Sequence, residues 1–255
     1  MQQRYHIKGR LAWFQSEALF DWDRHWAQHL TVEVFSQPSL GIISLFSDVL
    51  PREGIVLEAG CGMGQHVCGM LHAGYQCEGV DSAAATIAKV RQIKPDLPVR
   101  VGDLLALDVP DGYYASYVSL GVVEHRFEGP ESFLVEARRV LEPSGLGIFT
   151  VPYFNPLRKF KAAVGLFKGE PAPTSSFYQY ALSSQEMKSL LEKHGFVVED
   201  TRYYALWKGL KDEITPLAWL NRKARIAGAM NPWAERQKWL MPYAAHMVAF
   251  VCRKK

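Results

Sequence analysis

The 255-residue sequence predicts an α/β fold built on a mostly parallel sheet, and three observations carry that expectation. Short β-branched runs alternate with helical patterns through the middle of the chain. The first of these runs ends in a glycine-rich turn that opens a helix, and two later runs end at an Asp. Such alternation implies βαβ units with helices on both faces of the sheet. A composition of 48% hydrophobic and 22% charged residues excludes a disordered or collagen-like chain.

Ile55-Val56-Leu57-Glu58 reads as a buried strand running into the glycine-rich turn. Gln65 to Ala73 reads as a helix closed by Gly74, and Gln76 to Val80 as a second strand that ends at Asp81. Ala83 to Ile93 is a helix stopped by Pro95, because proline cannot continue the hydrogen-bond ladder. Val99-Arg100-Val101 is a third strand ending at Gly102-Asp103, and Ala115 to Leu120 is a fourth. Glu131 to Leu141 has the helical period, with Phe133, Leu134, Ala137, Val140 and Leu141 on one side. Leu146 to Val151 is a fifth strand. Ser183 to His194 is a helix opened by the capping box Ser183-x-x-Glu186 and closed by Gly195. Phe196 to Val198 starts a sixth strand, and Met247 to Val251 forms a seventh, expected to be antiparallel.

Three segments fall outside this rhythm. Residues 1–52 are expected to form an N-terminal helical cap, and 53–255 the main domain, with insertions at about 152–182 and 205–243. All seven tryptophans, at 13, 22, 26, 207, 219, 233 and 239, lie in the first and last parts of the chain. Loops at the carboxyl ends of parallel strands lie on the ligand-binding edge of such a sheet, so these segments are candidates for a lid and acceptor walls.

The central motif is Glu58-Ala59-Gly60-Cys61-Gly62-Met63-Gly64. Glycines at 60 and 62 permit a tight turn and close approach of a ligand to the backbone. The spacing is G-x-G-x-G, and Gln65 stands where a dinucleotide fingerprint wants Gly. No Gly-Lys-Ser/Thr follows, so the turn is not a nucleoside-triphosphate P-loop either. Asp81 ends the next strand, where a carboxylate can accept both hydroxyls of a ribose. Asp103 ends the third strand and can accept from an adenine amino group. Each Asp alone reads as a cap or turn residue; three strand ends in order at one sheet edge read as a nucleoside site.

Residues 55–64, 79–82, 102–104 and 119–125 resemble the successive motifs of class I S-adenosylmethionine (SAM) dependent methyltransferases, in the type 11 or ubiquinone-biosynthesis-like group. The resemblance covers about residues 50–200 and the final strand, and implies a Rossmann-like seven-stranded sheet with an antiparallel last strand. Arg138-Arg139-Val140-Leu141-Glu142-Pro143-Ser144-Gly145 resembles a turn of that family, with Ser144 replacing a Gly and Ala115 standing where many members carry Asp. By this resemblance Glu58, Ala59, Gly60, Cys61, Gly62 and Gly64 surround the methionine part of SAM. Asp81 and Ser82 hold the ribose, Asp103 and Leu104 flank the adenine, and Ser119 and Leu120 line the pocket near the reacting sulfur. Cys61 is then a small residue inside a turn and not a nucleophile.

Methyl transfer from an activated donor needs alignment and exclusion of water more than catalytic side chains. His125, at the end of the fourth strand, is the candidate general base for a hydroxyl acceptor. The family's metal-binding Glu-x-x-Glu-His cluster has Gly121 at its first position, which leaves only Glu124 and His125, so no metal is expected. His25 and His29, four residues apart, have Trp26 where a metalloprotease has Glu, and read as one face of an amphipathic helix.

The net charge of +3 does not by itself imply nucleic acid. From Arg202 to Lys255, however, eleven Lys/Arg face three acids, and Arg158, Lys159, Lys161 and Lys168 have no acid among them. That basic stretch, interleaved with Phe160, Val164, Leu166 and Phe167, reads either as a solvated helix face or as a contact for phosphate, a lipid-linked acceptor or a membrane surface. Tyr153, Phe154, Phe177, Tyr178 and Tyr180 would add an aromatic lining. The expected activity is methylation, with O-methylation favoured, of a small-molecule, lipid-linked or glycan acceptor, releasing S-adenosylhomocysteine. The alternatives are an RNA methyltransferase, though no Asn/Asp-Pro-Pro-Tyr/Phe motif occurs at the fourth strand, and a non-catalytic SAM-binding partner subunit. Four cysteines without a C-x-x-C pair, and a start without an apolar signal core, lead to the expectation of a reduced, cytoplasmic protein.

Overall fold

The computed structural model describes residues 2–15, 21–36, 38–167, 169–172, 175–214, 217 and 232–255. The chain opens with a hairpin, β1 (Gln2–Ile7) and β2 (Arg10–Gln15). Its two-residue turn, Lys8-Gly9, has φ of 51° and 78°, the doubly left-handed geometry that matches the twist of paired strands. The cap expected to be helical over 1–52 therefore begins as a β-hairpin. Helical turns follow only later, as α1 (Trp22–Ala27), α2 (Glu33–Ser36) and a 3-10 helix at Gly41–Phe46. Alternation in Arg4-Tyr5-His6-Ile7 and the aromatic β2 segment favour strands, a period that tryptophan content alone does not reveal.

The main sheet follows in the expected order. β3 (Ile55–Ala59), α3 (Gln65–His72), β4 (Gln76–Asp81), α4 (Ala84–Ile93), β5 (Val99–Val101), β6 (Tyr114–Leu120), α5 (Glu131–Val140) and β7 (Leu141–Pro152) alternate strand with helix, except that a loop and not a helix joins β5 to β6. Beyond them lie α6 (Pro156–Ala163), β8 (Ser176–Ala181), α7 (Ser184–Lys193), β9 (Phe196–Tyr204), α8 (Leu206–Glu213), α9 (Met241–Ala244) and β10 (Met247–Lys254). The seven-stranded sheet runs β5-β4-β3-β6-β7-β10-β9, parallel except for β10, which is antiparallel to both neighbours. From β3 the chain winds outward to β4 and β5, then returns to place β6 on the other side. The crevice between β3 and β6 is the topological switch point, where ligands bind.

Period-two alternation divides the core. Val56, Val118, Ile148 and Val251 pack on one face, whereas Leu57, Tyr117, Phe149 and Phe250 pack on the other, all nearly inaccessible. Ser144 adopts φ of 60° early in β7, a left-handed conformation that a glycine takes without cost. Ser183 caps α7 by accepting from the Glu186 amide at 3.2 Å. The Glu186 carboxylate does not return to the cap as a full capping box requires; it pairs with Arg10 of the hairpin.

The insertion at 152–182 contributes α6 and β8. β8 joins β2, so β1-β2-β8 form a second, three-stranded antiparallel sheet. This pairing carries the N-terminus and the insertion together over the carboxyl edge of the main sheet. In the insertion at 205–243, positions 215, 216 and 218–231 lie outside the described residues, and with them Trp219, Arg222, Lys223 and Arg225.

Candidate functional site

The turn after β3 is shaped by backbone that only glycine accommodates freely. Gly60 has φ of 81°, and a Cβ there would stand 2.4 Å from Val122 Cγ2. Gly62 has φ of 50°, and a Cβ there would meet the Trp26 indole at 2.7 Å. Trp26 of α1 thus lies directly over the turn. The Asp81 carboxylate stitches the turn to β4: Oδ2 accepts from the Gly62 amide at 2.7 Å and Oδ1 from the Ala83 amide at 2.9 Å. Asp103 Oδ1 accepts from the Leu105 amide at 2.9 Å. Both side chains keep lone pairs beyond these bonds.

Glu58, at the end of β3, is buried. Its Oε1 lies 2.9 Å from His66 Nδ1, while Oε2 is buried without a hydrogen-bond partner in the protein. Burial pulls the His66 pKa down, but the hydrogen bond and charge of Glu58 outweigh it, so the imidazole titrates above its ordinary range. Cys61 is buried in the turn. Burial, with the charges of Glu58 and Asp81, raises its thiol pKa well above the ordinary value, which suits a packing residue and not a thiolate nucleophile.

These groups open on one cavity of about 460 Å³ at the switch point. Of the residues singled out in the sequence, Glu58, Gly60, Cys61, Asp81, Ser82, Asp103, Leu104, Leu120 and His125 border it. Ala59, Gly62, Gly64 and Ser119 do not: Ala59 and Ser119 are fully buried in the sheet, Gly62 lies under Trp26, and Gly64 backs onto Leu97. Ser119 points away because alternate residues of β6 face opposite sides, and Leu120 takes the cavity side.

Glu124 and His125, on a 3-10 turn at Val123–His125 after β6, also border the cavity. His125 Nδ1 is 2.8 Å from the carbonyl oxygen of Tyr178 in β8. A carbonyl only accepts, so Nδ1 carries the proton and Nε2 the lone pair. Burial drives the His125 pKa down to about 4, aided by the charge of His25 and opposed by the Tyr178 and Gly121 carbonyls. At neutral pH the ring is an unprotonated base. Burial acts oppositely on Glu124, pushing its carboxyl up to about 8, and its Oε2 has no partner in the protein. Trp22 of α1 meets the His125 ring edge-on at 4.8 Å between centroids, and Tyr178 of β8 does so at the same distance. His25, expected on a plain helix face, borders the cavity beside them.

The tryptophans divide more finely than their distribution suggests. Trp22 and Trp26 line the cavity, Trp13 and Trp207 are buried in cores, and Trp233 and Trp239 are exposed. The basic stretch also departs from a solvated face. Arg158 is fully buried, its Nε donating to Glu213 at 2.9 Å, and Lys161 donates to the same carboxylate at 2.7 Å. Lys159 is exposed, and Lys168 lies outside the described residues. Among the described residues no group of three or more His, Cys, Asp or Glu is placed to hold a metal ion. No described helix is long and apolar enough to cross a membrane.

Sequence reading placed Trp22 and Trp26 only within a segment expected as lid or acceptor wall, and did not single out His66 or His246 as cavity residues. His66 had a signal, since it lies one position into the helix that follows Glu58. The others reach the cavity only through tertiary contacts: α1 docks on α4, and β10 begins beside Pro152 of β7.

Residues 57–149 match a family model described as a methyltransferase domain. A protein of Mycolicibacterium smegmatis named as a probable S-adenosylmethionine-dependent methyltransferase is 34% identical over 149 residues, 57% of this chain and 53% of its own length. The chain spans about half the length of the curated relatives it matches. Among solved structures, a chain of the complex between the Haloferax volcanii Trm112 methyltransferase activator and a methyltransferase candidate superposes with a TM-score of 0.60 at 16% identity, covering 92% of this chain and 96% of that one. Geranyl diphosphate C-methyltransferase from Streptomyces coelicolor, solved with S-adenosyl-L-homocysteine, gives a TM-score of 0.54 at 14% identity over 84% of this chain and 76% of that one. At such identities these two structures establish the shared fold.

Proposed function

The chain carries a class I SAM-dependent methyltransferase domain, and from that premise we propose that it methylates a hydroxyl group of a small-molecule, lipid-linked or glycan acceptor. The observation that carries this reading is a single cavity shared by two sets of groups. The glycine turn, Glu58, Asp81 and Asp103 border one part, and Glu124, His125 and an aromatic wall border another.

The residues present fit the cofactor. The Glu58 Oε2 atom is a buried acceptor still lacking a donor, and Asp81 and Asp103 retain free lone pairs toward the cavity. An amino-acid ammonium, a ribose diol and an adenine amino group are donors of the matching kind. Gly60 leaves room that a Cβ would fill. When bound, SAM supplies a methyl group already activated on a sulfonium, so the protein's work is alignment, desolvation and proton removal. Trp26 of α1 covers the turn, Trp22 packs against His125 and Tyr178, and together they exclude water. Nε2 of His125 is held as a lone pair by the Tyr178 carbonyl and is placed to take the proton of an acceptor hydroxyl.

A bulky, partly apolar acceptor is supported by the aromatic wall and by an apolar fringe. Phe160, Val164 and Leu166, in and just after α6, are more than half exposed beside the exposed Lys159. Such a fringe suits a lipid-linked acceptor presented at a surface. Nucleic acid is less favoured, because Arg158 and Lys161 are engaged by Glu213 and not offered to a phosphate backbone.

Isothermal titration with SAM and S-adenosylhomocysteine tests the cofactor site, with Asp81→Ala expected to weaken both. Ligand at about a hundred times its Kd adds about 2.7 kcal/mol of stability, seen as a rise in Tm. Absence of binding, or an Asp81→Ala protein that binds equally well, defeats the reading. Extracts incubated with methyl-labelled SAM then identify the acceptor class.

A further inference from the structure

We infer that His246 orients the methyl acceptor by donating an Nε2–H hydrogen bond to an oxygen beside the reacting hydroxyl, and that buried Arg158 is the positioning residue that fixes this tautomer. The inference rests on the methyltransferase reading for the identity of the bound molecule, but its geometry stands on its own.

His246 sits at the start of β10 and borders the cavity, whereas Arg158 lies behind it with no exposure. Arg158 Nη2 is 2.9 Å from His246 Nδ1. A guanidinium has donors and no acceptor, so Nδ1 must present its lone pair, and the proton of the neutral ring resides on Nε2. The Asp212 carboxylate lies 3.4 Å from Nδ1, longer and weaker, and a proton turned toward it would face the arginine N–H.

Arg158 cannot swing away. Its Nε is held by Glu213 at 2.9 Å, and its Nη1 donates to the Tyr153 carbonyl at 2.8 Å. Glu213 is itself fixed by Arg4 and Lys161. The His246 carbonyl accepts from the Tyr153 amide at 2.8 Å, which anchors the residue's backbone. The imidazole is therefore locked at one end, and no hydrogen bond to Nε2 is present among the described residues.

The surroundings indicate what the free end recognises. Burial above all, with the charges of Arg158, Lys208, Lys211 and Arg4, opposes a positive charge on this ring. The ring therefore stays neutral. A neutral donor set in a cationic neighbourhood suits an anionic or electron-rich oxygen, not an ammonium. His125, which borders the same cavity, offers an acceptor lone pair. The pair complements a molecule with a hydroxyl next to a carboxylate or carbonyl oxygen, and salicylate is a simple probe of that class.

The test uses the full chain loaded with S-adenosylhomocysteine. With ¹⁵N-histidine labelling, His246 is expected as the neutral Nε2–H tautomer without titration from about pH 5 to 9. Arg158→Lys keeps a charge beside Glu213 but cannot reach both partners, and should yield mixed tautomers. Salicylate should perturb the His246 Nε2 resonance. His246→Asn retains an acceptor for Arg158 but lacks the outer donor, and should bind salicylate about tenfold more weakly, the value of one hydrogen bond. His246→Gln, whose amide extends to the Nε2 position, should recover much of that loss, while S-adenosylhomocysteine affinity stays constant in both variants. A proton on Nδ1, titration near neutrality, no salicylate binding to the natural protein, or undiminished binding by His246→Asn each overturns the proposal. Failure of the natural protein to bind S-adenosylhomocysteine instead removes the methyltransferase reading, and the ¹⁵N spectrum still decides the tautomer.

Discussion

Asp23 should control how firmly the cavity is covered. It lies on α1 between Trp22 and Trp26, and its carboxylate reaches across to the first turn of α4. Oδ1 accepts from the Thr86 amide at 2.7 Å and from Thr86 Oγ1 at 2.8 Å, and Oδ2 from the Ala85 amide at 3.3 Å. α4 has Ala83 at its N-cap position and no cap from its own chain segment, so Asp23 supplies that cap from another element. Loss of an N-cap carboxylate costs about 0.5–2 kcal/mol. An energy of 1–2 kcal/mol is a factor of about 5 to 30 in an equilibrium. If α1 is held over the turn by this contact, Asp23→Ala should raise the Kd for S-adenosylhomocysteine by up to that factor, because the covered state becomes less populated. Asp23→Asn retains an acceptor oxygen and should lose far less. Titration calorimetry measures the affinity, and amide hydrogen exchange of residues 22–27 measures the opening. The Thr86 and Ala85 hydrogen bonds hold the Asp23 carboxyl below its ordinary pKa, outweighing desolvation. A depressed carboxylate stabilises above its unfolded pKa and loses that contribution as pH falls through the folded value. The latch should therefore hold at neutral pH and fail in acid. Unchanged affinity together with unchanged exchange in Asp23→Ala would refute the latch.

Three further outcomes follow from the site. Gly60→Ala places a Cβ 2.4 Å from Val122 at φ of 81°, so it should destabilise the fold by about 1–3 kcal/mol and abolish cofactor-dependent thermal stabilisation, as read by calorimetric melting. Glu124 titrates at about 8 in the folded protein because it is buried. The folded state then holds a proton that the unfolded state releases, so stability should fall as pH rises from about 5 to about 8, by a few kcal/mol at most, and Glu124→Gln should remove that slope in urea titrations. His125→Phe should leave S-adenosylhomocysteine affinity unchanged and lower kcat for a hydroxyl acceptor by about 10²–10⁴. With the base titrating at about 4, the natural enzyme's rate should show no inflection from this group above about pH 5.

What the sequence discloses follows from the range of the interactions that create it. The βαβ order, the glycine turn and the acidic strand ends are local patterns, written within a few residues of one another, and the main sheet follows them. β1 and β2 escaped because their aromatic alternation makes sense only once β8 is found as a third strand, more than 150 positions away. Arg158 looked like part of a solvated basic run for a related reason. Its neighbours in sequence are Lys159 and Lys161, but its partners in space are Glu213 and His246. A charge run seen along the chain says nothing about which member turns inward.

The same limit falls on part of the acceptor half of the cavity, where His125 and Tyr178 were legible along the chain but His246 was not. The cofactor half is assembled from consecutive strand ends, so its residues arrive in chain order: Glu58, Asp81, Asp103, Leu120. The acceptor half takes Trp22 from the N-terminal cap, His125 from the 3-10 turn after β6, Tyr178 from β8 and His246 from the start of β10. These positions meet only because β8 pairs with β2 and β10 inserts between β7 and β9. A donor shared by many enzymes can be held by a local motif, whereas an acceptor particular to one enzyme is met by parts drawn from far apart. Substitutions at Trp22, Tyr178 or His246 should therefore alter which acceptor is used while cofactor affinity persists, and substitutions at Gly60 or Asp81 should remove activity toward every acceptor alike.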